Sequence, residues 1–203
     1  MPKPVNTVSR LRELNRDELG EEQQALFDAI AGGKRSSRDK GTAIVTPGGG
    51  LRGPFNAMLY APGAGFAAQQ LGERLRFEGT LANRQREIAV LCVAAHWRAE
   101  FEWWAHARIA RECGVSDTVI EAIRRGQRPT LDEPGERLVF DYARTLLGEK
   151  QVPDALYRDA VAVLGEPGVA ELVHLLGYYS LVSMLLVSFQ VPIPEGASPA
   201  FAD

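Results

Sequence analysis

Glu87, Glu102 and His106 are the residues of this chain best suited to proton transfer, and the stretch that holds them carries no paired thiols. Glu102 and His106 are four residues apart, so on a helix they share one face. A carboxylate in that position holds an imidazole in one tautomer and raises its basicity. The same spacing also describes an ordinary surface pair worth a few tenths of a kcal/mol. Glu87 opens the apolar run Ile88-Ala89-Val90-Leu91-Cys92-Val93. It is expected either to be partly desolvated there, as an acid–base group needs, or to sit in water and favour the positive end of the helix.

Trp97, Trp103 and Trp104 cluster around these residues, with Phe101 beside them. They could wall an apolar pocket near His106. Trp103 and Trp104 point about 100° apart on a helix, so at least one of them is expected in a core or an interface. Of the other two histidines, His96 lies ten residues from His106 across an expected helix break, and His174 lies in a separate apolar segment. No His-Glu-x-x-His pattern is present, so no metal site is expected. A Gly-x-Ser-x-Gly nucleophile turn is absent too.

The elements that must position these groups read as helices throughout. Strand signals are nearly absent, and Gly and Pro punctuate one helical pattern after another. Residues 20–32 form a helix with acids in its first turn, and 33–53 form a loop ending in Gly48-Gly49-Gly50. No Gly-Lys-Ser/Thr follows that loop, so it does not read as a phosphate cradle. A short helix runs from Gly53 to Pro62, and another covers 64–76 with an apolar stripe of Phe66, Leu71 and Leu75. A long helix runs to Trp97 with Asn83 as its N-cap, and the next, 99–113, stops at Gly114. Ser116-Asp117 caps a helix through Arg125, and Pro134 and Pro153 open two more. Gly165-Glu166-Pro167-Gly168 breaks the chain before an apolar helix over 169–190, and 192–203 reads as a loose tail. Faintly, Leu164–Leu181 repeats the layout of Leu81–Trp97: a break, a Glu, then an apolar helix.

Composition narrows the function. The chain has 203 residues with 45% hydrophobic content, enough for one substantial core. Its 23 basic and 26 acidic residues leave a formal charge of −3, which gives no overall basic field for nucleic acid or an anionic membrane. Lys34-Arg35 and Arg124-Arg125 are short basic clusters of a solvated surface. Glu171, His174, Gly177 and two tyrosines within Val169–Val191 suit a buried helix better than a bilayer span. The opening Met1-Pro2-Lys3-Pro4 has no apolar signal-peptide core, and Cys92 and Cys113 form no paired motif. A cytoplasmic protein without a disulfide is expected.

Several of these segments together resemble the carboxymuconolactone decarboxylase family, which includes alkyl hydroperoxidase D-like proteins. Gly53-Pro54-Phe55-Asn56-Ala57-Met58-Leu59-Tyr60-Ala61-Pro62 is similar to the family's opening helix. Leu81 followed by Arg86-Glu87-Ile88-Ala89-Val90-Leu91 resembles its central helix. Glu100-Phe101-Glu102-Trp103-x-x-His106, with Ala110, Gly114-Val115-Ser116-Asp117 and Ile120, resembles the segment after it. The match covers residues 50–127 well and the remainder loosely. The resemblance implies a single all-α domain, a helical bundle with two loosely related halves. It would comprise an N-terminal helix and loop (1–49), a family core (50–127), a second helical half (128–191) and the tail.

The resemblance also bears on chemistry. The family's peroxidase branch carries Cys-x-x-Cys-x-x-x-His with a Glu upstream, and on that pattern the Glu and His fall on Glu87 and His106. The two cysteines fall on Ala99 and Glu102, so thiol peroxidase activity is not expected. Redox chemistry through Cys92 or Cys113 would be a departure from the pattern. What remains is similar to the decarboxylase branch, which uses neither metal nor organic cofactor. On that reading His106 donates a proton, Glu102 orients it and Glu87 is a second acid–base group. Trp103, Phe101 and Arg86 bind a small lactone or keto acid, with Arg52 an alternative carboxylate ligand. The alternative is a family member that binds a small molecule without turning it over. The resemblance further implies a homo-oligomer, a trimer or a hexamer.

Overall fold

The computed structural model describes residues 8–34 and 43–201. Arg35 of the first basic cluster, the opening Met1–Pro4 and part of the expected 33–53 loop lie outside them. Among the described residues there are eight α-helices and no strand beyond an isolated antiparallel bridge between Val45 and Leu51. We number them α1 (Glu21–Ala31), α2 (Pro54–Leu59), α3 (Pro62–Phe77), α4 (Asn83–Trp97), α5 (Glu100–Glu112), α6 (Asp117–Arg124), α7 (Pro134–Glu149) and α8 (Asp154–Ser188). The all-α class expected from periodicity is what forms.

Two compact units arise. One holds the N-terminal segment up to Gly79 with Ser188–Pro192, and the other holds Thr80–Val187 and the C-terminal segment from Ile193. The stretch 50–127, expected as one family core, therefore contributes to both.

The first of these units packs α1, α2 and α3 together. Leu26, Phe27 and Ile30 form the buried stripe of α1. The buried face of α3 corrects the expectation. It is Gly65, Gln69, Gly72 and Leu75, while Leu71 stands 37% exposed. The reason is close approach. A Cβ at Gly65 would sit 2.6 Å from the Met58 carbonyl oxygen and 2.9 Å from Leu26 Cδ2. The helices meet through missing side chains, which a count of large apolar residues does not register.

The second unit is built around α4. Every residue from Arg86 to Ala94 is buried, so this helix is enclosed on all sides by its packing against α5, α6 and α7. The turn from α4 to α5 is tight: Arg98 adopts the left-handed conformation (φ 48°, ψ 41°), and the Ala99 amide donates to the Ala94 carbonyl at 2.9 Å. Left-handed backbone costs a non-glycine residue roughly 1–2 kcal/mol. Arg98 stays there with its guanidinium over the Phe201 ring (5.5 Å) and bonded to the Phe201 carbonyl.

Ser116 caps α6 by accepting from the Val119 amide, as its sequence predicts, and Gly114 (φ 86°) ends α5. The N-cap of α4 is Ala82 rather than Asn83, one residue earlier than expected. Gly165 (φ 69°) alone breaks α8; Glu166, Pro167 and Gly168 already lie in the helix that follows. Proline is tolerated in a first helical turn, where its missing N–H would have no partner. Glu171 of α8 accepts from the amides of Thr80 and Leu81 (2.7 and 3.2 Å) and from the Thr80 hydroxyl (2.6 Å), tying α8 to the start of α4.

The tail is not loose at residues 200–201. The amides of Ala200 and Phe201 donate to the Glu100 carboxylate at 2.7 and 2.8 Å, and the Phe201 ring packs edge-on to Trp103 at 5.2 Å. Burying one aromatic ring and pairing two amides with a carboxylate is enough to fix a short segment.

Candidate active site

Glu87, Glu102 and His106 come together inside the second unit, and each is almost fully enclosed: 1%, 4% and 5% exposed. Helix α4 supplies Glu87, and α5 supplies the other two from adjacent turns. The tight turn at Arg98 folds α5 back against α4, which closes the nineteen-residue gap between Glu87 and His106.

His106 Nδ1 lies 2.7 Å from Glu87 Oε2, and Nε2 lies 3.2 Å from Glu102 Oε1. Both ring nitrogens therefore face a carboxylate. Burial alone would favour the neutral imidazole, but the two carboxylates outweigh it and His106 is raised to about 9. At neutral pH it is an imidazolium donating from both nitrogens.

Arg86 is buried beside this pair. Its Nε lies 3.4 Å from Glu87 Oε1, and its Nη2 donates to Asn83 Oδ1 at 3.0 Å. Two cations and two carboxylates balance, which is the condition for keeping charge in a low-dielectric interior. The edge-to-face partner of the imidazole is Tyr179 of α8, at 5.0 Å between centroids, and Tyr178 packs on Tyr179 at 5.1 Å.

Tyr179 was not among the candidates. Its only signal is a pair of tyrosines inside a mostly apolar segment. Trp103 packs against Phe201, and Phe101 packs against Trp104 at 5.4 Å. His96 is exposed with its ring edge-on to Trp97, and His174 is exposed with Nδ1 2.8 Å from the Ala170 carbonyl. Neither joins the site. Arg52 donates from Nε to the Ala43 carbonyl at 3.0 Å, on a segment outside the unit that holds His106.

The thiols lie elsewhere. Ala99, where the first cysteine of the peroxidase pattern would fall, is the buried N-cap of α5. A helix N-terminus there would stabilise a thiolate, but this chain places a methyl group. Cys92 is buried, and desolvation pushes its thiol up to about 12, far from a nucleophilic thiolate at neutral pH. Among the described residues no group of three or more His, Cys, Asp and Glu is placed to hold a metal ion.

Residues 62–145 match the model of the carboxymuconolactone decarboxylase family, and that span includes Glu87, Glu102 and His106. The resemblance drawn from the sequence motifs is thereby shown. Two solved structures share the fold. One is the alkylhydroperoxidase AhpD core of an uncharacterized peroxidase-related protein from Ralstonia eutropha JMP134, with a TM-score of 0.72, 14% identity and 94% of each chain covered. The other is an uncharacterized peroxidase-related protein from Silicibacter sp. TM1040, with a TM-score of 0.70, 15% identity and 96% of each chain covered. At such identities the likeness is one of fold. No curated protein matches the chain.

Proposed function

We propose that this protein is a cofactor-free decarboxylase, or a related lyase, acting on a small lactone or keto acid through His106. The observation that carries the reading is the doubly paired, buried imidazolium. A buried proton donor held in one orientation suits a reaction that must place a proton on carbon.

The two distances support the following residue roles. Glu87, at 2.7 Å from Nδ1, fixes the ring. Glu102, at the longer 3.2 Å from Nε2, is the partner that a substrate oxygen displaces. Breaking the bond to the departing CO2 sends its electron pair into the conjugated carbonyl, giving a dienolate. The Nε2 proton of His106 then passes to carbon, and the neutral imidazole regains a proton from water, so one proton is consumed per CO2 released. The low-dielectric surroundings favour loss of a charged carboxylate as neutral CO2. Arg86 binds the substrate's carboxylate, and Tyr179 forms an apolar wall at the ring. These assignments shift the orienting role from Glu102, where spacing put it, to Glu87.

A second reading is favoured by the same completeness of pairing: with every charge balanced, the network also suits a scaffold that binds a small molecule without turnover. Exposed Val173, Leu181, Met184 and Val187 on α8 support a homo-oligomer, in which this face is covered. The deciding experiment is CO2 release from a panel of small lactone acids and β-keto acids, with wild type and His106→Ala. Release that falls by 10²-fold or more in the variant supports the decarboxylase. Saturable binding without release supports the second reading.

A further inference from the structure

A concavity lies in the same unit as His106, but none of the acid–base residues lines it. It is a cleft of about 720 Å³ between the C-terminal half of α4, the end of α6 and α7. That volume is in the range of small-molecule sites. Cys92, Ile123 and Phe140, all buried, form its apolar floor. Five arginines line it (Arg98, Arg124, Arg125, Arg128 and Arg144) against two carboxylates, Asp141 and Glu149. The excess of positive charge is local, since the whole chain is at −3.

Most of these cations are already engaged. Arg124 and Arg125 both bind Glu121 (2.8 and 2.6 Å), Arg128 binds Asp141 at 2.5 Å, and Arg98 holds Phe201. Arg144 differs. It is exposed, it has no hydrogen-bond or ion-pair partner among the described residues, and its charge is felt at the Cys92 thiol on the floor. A guanidinium left open beside an apolar floor is a bidentate anchor for an oxyanion whose hydrocarbon part lies below.

We infer that this cleft is a second binding site, for an organic anion with a hydrocarbon body: Arg144 takes the anionic head, and Cys92, Ile123 and Phe140 take the body. The site is separate from the His106 network and does not depend on the reaction assigned to it. The neighbouring arginines raise the local anion concentration without holding the ligand directly.

The test uses the full chain and the fluorescent anion 8-anilinonaphthalene-1-sulfonate as probe, with octanoate, octanol, acetate and inorganic phosphate as competitors. The expected result is saturable binding that octanoate displaces and that octanol, acetate and phosphate displace at least tenfold less well. Arg144→Ala weakens it at least tenfold and Arg144→Glu abolishes it, with helicity unchanged in circular dichroism. Arg158→Glu, a charge reversal at an exposed residue that does not line the cleft, leaves it intact. Absence of saturable binding, displacement by octanol as strong as by octanoate, displacement by phosphate as strong as by octanoate, or equal affinity in all three variants would each overturn the proposal.

Discussion

His106 Nδ1 sits closer to Glu87, on the neighbouring helix, than Nε2 does to Glu102, on its own helix: 2.7 against 3.2 Å. The tertiary contact is thus tighter than the local one, and it makes stability depend on pH. His106 is raised from an ordinary 6.5 to about 9. A group raised on folding contributes stability that is complete below its unfolded pKa and is lost as pH climbs through its folded one. Stability should therefore fall by about 3 kcal/mol between pH 6.5 and 9. Urea midpoints across that range should show the loss in the wild type, and His106→Gln should be flat there.

The two carboxylates are not equivalent. Glu87→Gln removes the closer partner and leaves Arg86 and His106 with an uncompensated charge, which should cost about 3–5 kcal/mol. Glu102→Gln should cost less and should lower the His106 pKa less. Denaturant unfolding gives the first comparison, and an NMR titration of the imidazole gives the second. Equal losses in the two variants would remove the distinction between an orienting and a displaceable carboxylate.

Cys92 should be inert in the native state. Its thiol is buried at the floor of the cleft and held at about 12, so little thiolate forms at neutral pH. A thiol reagent at pH 7.5 should label it only in denaturant, and Cys92→Ala should leave any peroxide consumption unchanged. Rapid native labelling of Cys92 would reopen a redox role.

Removing the Phe201 ring should cost about 3 kcal/mol, in keeping with aromatic truncations in cores. The loss combines the packing on Trp103 with the cation contact from Arg98. Thermal or urea unfolding of Phe201→Ala measures it, and an effect below about 0.5 kcal/mol would mean the ring is not part of the core.

The exposed apolar side chains of α8 make an association prediction. Leu181→Glu with Met184→Glu should reduce the mass measured by light scattering while leaving helicity intact. An unchanged mass would place any interface elsewhere.

Some of this was legible in the chain and some was not, for physical reasons. Helices α4 and α5 could be read because a long apolar run and a Gly stop carry their own punctuation. Glu102 and His106 could be paired because four residues is a helical repeat. Glu87 and His106 are not linked by any local period. Their contact depends on a left-handed turn at Arg98, and nothing about an arginine announces one. Tyr179 was hidden by distance along the chain. The buried face of α3 was hidden because its contacts are made by glycines, and the docking of Phe201 because a single aromatic near a terminus carries no pattern.

The clamp of Glu171 on the amides of Thr80 and Leu81 has a consequence for how this chain tolerates change. Tyr179 lies eight residues farther along the same helix, about 12 Å at 1.5 Å per residue. Anchor and reader are thus phased like two marks on a rod. Deleting one residue between them would turn the far mark by about 100° and withdraw the tyrosine from the imidazole, though neither contact had been touched. For this segment, length is the guarded quantity, and substitutions that preserve it are the gentler perturbation.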